Sequence, residues 1–60
     1  MISKFWIEEK DGDEEHLSFY VGTKLVGDAS HDEHGWAGMK SMADLFESTA
    51  KALGAKFERR

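Results

Sequence analysis

Two stretches near the N-terminus alternate apolar and polar residues. In the first, Phe5 and Ile7 alternate with Lys4, Trp6 and Glu8; in the second, Leu17, Phe19 and Val21 alternate with His16, Ser18 and Tyr20. Successive side chains of a strand point to opposite faces, so this period of two predicts two half-buried strands. An Asp11-Gly12 pair lies between them, and the whole predicts a β-hairpin. Gly22 and Gly27 bracket Thr23–Val26, which reads as a short third strand or a bent continuation of the second.

From Trp36 to Leu53 the period becomes that of a helix. Met39, Met42, Ala43, Phe46, Ala50 and Leu53 fall in an apolar stripe roughly 100° wide on a helical wheel. Lys40 with Asp44, and Glu47 with Lys51, have supportive i,i+4 spacing. Gly54 supplies a left-handed C-cap. Ser30 and Glu33 have capping-box spacing, while Gly35 and Gly38 weaken the first turns and move the expected start toward Trp36. Residues 55–59 offer a last short strand. The order predicts an α+β fold: a small antiparallel β-sheet, made of the N-terminal hairpin plus one or two short strands, with one α-helix packed on one face. Phe5, Ile7, Leu17, Phe19, Val21, Met42, Phe46, Leu53 and Phe57 are its expected core.

Sixty residues allow one domain, 1–60, and a chain this short buries only about 60% of the surface it exposes when unfolded. No cysteine is present, so neither a disulfide nor a thiolate metal site staples it, which fits a cytoplasmic location. There is no leader-like apolar segment and no run long enough to cross a bilayer, so no membrane role is expected. The opening Met1 and the compact ending suggest a complete small gene product.

Charge sharpens the picture more than composition does. Residues 8–15 hold six acids and one base, so this segment carries −5 of a net charge of −4 and the rest carries +1. Lys51, Lys56, Arg59 and Arg60 make the far end of the chain basic, and the molecule is expected to be bipolar. Direct nucleic-acid binding needs a basic stripe, which this pattern does not offer.

The acidic segment is the first candidate site. Glu8, Glu9, Asp11, Asp13, Glu14 and Glu15 crowd one hairpin tip, and like charges facing across strands are destabilising. One reading is a negative prong that enters a basic groove; the other is a solvated tip that guards the sheet against edge pairing. A calcium loop would need twelve residues, a glycine at its sixth position and flanking helices, none of which this segment has. His31 and His34 are spaced i,i+3 beside Asp28, Asp32 and Glu33, but nothing fixes a third ligand. Exposed or capping roles are expected for them, and neither a metal nor a cofactor is assigned. No nucleophile elbow or phosphate-cradling glycine pattern occurs, so no enzymatic activity is expected.

The aromatics supply the second candidate. A helix covers only one face of a hairpin. With Phe5, Ile7, Leu17 and Phe19 turned toward it, Trp6 and Tyr20 are left on the open face; the opposite register would expose Phe5, Ile7 and Tyr20 instead. Either way an aromatic patch remains, and Trp and Tyr are enriched at interface hot spots. On the helix, Ala37, Ser41, Ser48 and Ala52 form a low stripe around Leu45 that would suit self-association.

In size, acidic balance and hairpin–helix–strand order, the chain resembles small phage-encoded inhibitors of host enzymes, such as the short RNA polymerase inhibitors of T7-like phages. The resemblance is architectural and rests on no motif. The expected function is that of a small acidic regulator or inhibitor. It would dock Trp6, Tyr20 and the acidic hairpin onto a basic surface of a larger protein, with a nucleic-acid-handling enzyme as the leading candidate. The alternatives are a homodimeric structural module and a histidine-based metal-binding protein.

Overall fold

The computed structural model describes residues 3–10 and 14–60. The two alternating runs form β1 (Phe5–Glu9) and β2 (His16–Val21), which pair antiparallel with Trp6 opposite Tyr20 and Ile7 opposite Phe19. The Asp11-Gly12 pair lies outside the described residues. Of the two registers open to the hairpin, the one adopted buries Phe5, Ile7 and Phe19 on one face and turns Trp6 and Tyr20 to the other.

After a turn at Gly22 and Thr23, β3 (Lys24–Ser30) pairs antiparallel with β2. It is longer than the expected Thr23–Val26 segment, because Gly27 lies within the strand rather than ending it. Gly27 faces Phe19, and a Cβ built on it would sit 3.8 Å from that ring. Two residues further on, Ala29 is fully enclosed. The register shifts between Phe19 and Tyr20, which face Gly27 and Leu25, so Val26 is the extra residue of a bulge. Bulges twist an edge strand and disfavour pairing with another sheet.

The helix α1 (His31–Ala52) begins with the cap that the spacing predicts. Ser30 is extended, and its hydroxyl accepts a hydrogen bond from the Glu33 N–H at 3.3 Å. The reciprocal bond is made by a different side chain: the Ser30 N–H donates to His34 Nδ1 at 3.4 Å. Gly35, at φ 70° and ψ 170°, then interrupts the helix, in a backbone region that is essentially reserved for glycine. A capped turn therefore precedes a main helix that starts at Trp36, and both start signals in the sequence have a structural counterpart. At the other end Gly54 adopts φ 74°. The N–H groups of Gly54 and Ala55 close onto the carbonyls of Lys51 and Ala50 at 3.1 and 2.9 Å, a Schellman ending.

The last strand, β4 (Phe57–Arg59), pairs with β1, giving the order β3-β2-β1-β4. The fold is α+β as expected, with one helix on one face of the sheet. The sheet has four strands and is mixed, since β4 runs parallel to β1. The reason is the single helix: it reverses the chain once, so β4 must run the same way as β3, which is itself parallel to β1. The core gathers Ile7, Phe19, Ala29, Met39 and Ala43, with Leu17, Met42, Phe46 and Phe57 against it. The ring of Phe46 joins the layers, 5.1 Å from Phe5, 5.2 Å from Phe19 and 6.3 Å from Phe57. Leu53 is not in the core. It is 51% exposed, because it is the C-cap residue and the buried stripe of the helix ends at Ala50.

Candidate binding surface

On the sheet face away from the helix, strand pairing arranges the side chains in cross-strand rows. One row runs Leu25, Tyr20, Trp6, Glu58; the next runs Asp28, Ser18, Glu8. In the first row, the rings of Trp6 and Tyr20 are stacked with centroids 4.0 Å apart. The Trp6 Nε1–H donates to the Gly22 carbonyl at 2.7 Å. The Arg60 guanidinium lies 4.1 Å from the indole centroid, a cation–π contact. Trp6 is thus flanked by Tyr20 and Arg60. Both aromatic residues of the expected site are brought together here, half-buried rather than open.

Arg60 also holds Glu58, which accepts a second bond from Lys4 Nζ at 2.7 Å. The hydrogen bond from Lys4, followed by that from Arg60, draws the Glu58 carboxyl down to about 2. On the helix, Lys40 bonds Asp44 at 2.7 Å and Lys51 bonds Glu47 at 3.0 Å, the two pairs that the spacing predicts. Arg59 reaches Glu47 at 3.1 Å and Asp44 at 3.6 Å. Asp44 is shifted below its ordinary range chiefly by the Lys40 hydrogen bond, and Glu47 by those of Lys51 and Arg59.

These pairs occupy Lys4, Lys40, Lys51, Arg59 and Arg60. The remaining acids are grouped differently from their order in the chain. Glu9, Glu14 and Glu15 are exposed and Glu8 is half-buried, while Asp11 and Asp13 lie outside the described residues. The His31 N–H donates to the Glu15 carbonyl at 2.8 Å, and His16 is paired with Ser30. The helix start is thereby held against the base of the hairpin loop, and Asp28, Asp32 and Glu33 join the same acidic end. Their place on this surface was missed by sequence reasoning; the available signal was the Gly22 turn, which pairs Asp28 with Ser18. Among the described residues, Glu8, Glu9, Glu14, Asp28, Asp32 and Glu33 form no ion pair with a lysine or arginine.

The expected basic end is corrected by the parallel β4. Arg59 and Arg60 do not lie far from the acids: the Arg60 N–H donates to Ile7 and its carbonyl accepts from Glu9. Lys24 and Lys56 instead mark the opposite end, where β1 begins. His34 serves the helix cap, and His31 packs on Trp36 with centroids 4.4 Å apart. Among the described residues, no three His, Asp or Glu side chains are grouped so as to hold a metal ion.

The helix side carries a second feature, an apolar groove of about 380 Å³ between α1 and β3, lined by Phe19, Val26, Met42, Leu45 and Phe46. No helix among the described residues is long and apolar enough to cross a membrane. The fold and surface define a small α+β domain with an acidic, aromatic open sheet face. Comparison with known proteins finds no match: no family model fits the chain, and no curated protein or solved structure resembles it at a significant level.

Proposed function

We propose that this protein is a non-catalytic regulator or inhibitor that binds a larger protein, laying its acidic end and the Trp6–Tyr20 face against a basic surface. The observation that carries the reading is the segregation of charge. Five cations are tied to Asp44, Glu47 and Glu58, while Glu8, Glu9, Glu14, Asp28, Asp32 and Glu33 have no ion pair with a lysine or arginine among the described residues. Unpaired like charges gathered on one surface repel one another in the free protein. They speed and orient encounter with a basic partner, so their net effect becomes favourable on binding. The groove of a nucleic-acid-handling enzyme has the complementary chemistry.

The test is to immobilise the chain and a variant with Glu8, Glu9, Glu14 and Glu15 replaced by Gln, and to elute captured proteins from a host lysate with salt. Retention of a basic partner should weaken in the variant. It should also fall steeply with salt, since exposed charges are screened within about 10 Å at 0.1 M. A partner held equally by both proteins at all salt concentrations would remove the acidic end from the function.

Self-association is a second reading, supported by one observation: the groove between α1 and β3 is apolar and is bordered by Leu45, 69% exposed, and Val26, 51% exposed. Light scattering of the chain and of Leu45→Lys decides it, since a dimer built on this groove should dissociate in the variant.

A further inference from the structure

The row Glu8–Ser18–Asp28 lies directly beside the aromatic stack. Ser18 is opposed by Glu8 on β1 and by Asp28 on β3, so its hydroxyl stands between two carboxylates. Directly opposed side chains start about 5 Å apart, and the two acids are therefore about 10 Å from each other across the middle strand. Ser18 is 7% exposed. Its hydroxyl nevertheless makes no hydrogen bond with another described residue. One step along the same face of β2, His16 Nε2 is buried and without a partner among the described residues. Enclosed polar groups almost always have one, so His16 marks a missing donor or acceptor on this face, while the Ser18 hydroxyl is not itself an enclosed atom. Arg60 is next to Glu8 in the parallel register, yet its guanidinium turns back to Glu58 and Trp6, and neither carboxylate of the row has a cation among the described residues.

We propose that the Glu8–Ser18–Asp28 notch seats one arginine side chain of the bound partner, its guanidinium bridging the two carboxylates over the serine hydroxyl. The inference rests on the reading of this face as a protein-binding surface and adds the chemistry of the contact. A metal ion does not suit the row, which has two carboxylates on strands that are not neighbours. A lysine ammonium diverges from a single atom and is too compact to bond both sides. A guanidinium presents five donors along the edges of a plane, so it can meet carboxylates on opposite sides and still donate to an oxygen between them.

The experiment is a chemical-shift titration of the 60-residue chain at constant ionic strength, with N-acetylarginine amide as the probe. The lysine and citrulline analogues and an Arg-Gly-Ser repeat peptide serve as comparisons. Saturable shifts are expected at Glu8, Ser18 and Asp28 with the arginine probe, weaker ones with lysine and none with uncharged citrulline. Glu8→Gln with Asp28→Asn should weaken the probe about tenfold, the loss expected of charge-assisted bonds. Ser18→Ala should weaken it without lowering the melting temperature. Since Glu8 and Asp28 lie outside the core, their variant keeps the test open if Ser18→Ala does not fold. Shifts spread evenly over Glu9, Glu14, Asp32 and Glu33 would overturn the notch, as would affinity unchanged in both variants. If the repeat peptide binds the open face of the double variant undiminished, the face remains a binding surface and the arginine seat is wrong. If the peptide fails to bind the unaltered chain, both readings fall.

Discussion

The indole of Trp6 lies face to face with the ring of Tyr20, the planes 4° from parallel and the centroids 4.0 Å apart. Because the two residues are directly opposed in the β1–β2 pairing, the stack fixes the hairpin register from the side that the helix does not cover. It therefore serves the fold as well as any partner.

Trp6→Ala removes the stack, the bond to Gly22 and the contact with Arg60. Aromatic pairs contribute about 0.5–1.5 kcal/mol beyond their area and a hydrogen bond about 1 kcal/mol, so the expected cost is about 2–3 kcal/mol. In a domain this small the melting temperature should fall by roughly 10–20 °C, measured by circular dichroism. Phe46→Ala, at the junction of three rings in the core, should cost about 3–5 kcal/mol and leave little folded protein. A Trp6→Ala variant that melts like the parent would show that the stack adds nothing to the fold.

Glu58 predicts an acid limb. Its folded value of about 2 lies below the ordinary 4.5, so the stability it supplies is fully present above pH 4.5. That contribution is lost as pH falls toward 2, when the carboxyl takes up a proton. Glu58→Gln should lower stability at neutral pH and flatten the pH dependence between those values. Urea unfolding at a series of pH values checks both, and an unchanged acid limb in the variant would remove Glu58 from it.

Gly35→Ala should destabilise the protein by about 1–3 kcal/mol, since alanine cannot comfortably take φ 70°, ψ 170°. Propensity alone predicts the opposite sign, because alanine exceeds glycine by about 1 kcal/mol inside a helix. The sign of the change in thermal stability therefore reports whether the capped turn at Ser30 is separated from the main helix in solution.

Ser18→Ala should leave the stability of the free chain within about 1 kcal/mol of the parent, because the hydroxyl makes no hydrogen bond with another described residue. A loss of more than 1 kcal/mol in chemical denaturation would mean that the hydroxyl has a partner within the fold.

Much of this architecture was legible in the order of residues, because the signals are local. Alternation around Asp11-Gly12 foretold β1 and β2; the stripe from Met39 to Ala50 foretold the face of α1; Ser30 and Gly54 marked its caps. Leu53 was misjudged because helical periodicity continues past the point where the Schellman turn ends the helix. Gly27 was misread as a terminator, although its lack of a side chain suits the place where β3 crosses Phe19.

What the sequence determined by itself were the properties set within a few residues of each other: strand and helix periods, caps, turns and the concentration of acids in residues 8–15. Tertiary structure decided which distant groups meet. The single reversal at α1 made β4 parallel to β1, and this carried Arg59 and Arg60 to the acidic side of the sheet and over Trp6. Pairing of β3 with β2 set Asp28 across Ser18 from Glu8, and the bond from His31 to Glu15 drew Asp32 and Glu33 to the hairpin. The physical reason is range. Backbone preference and periodicity act over one or two turns of chain, whereas charge and enclosure depend on distance in space, which only the sheet order β3-β2-β1-β4 defines.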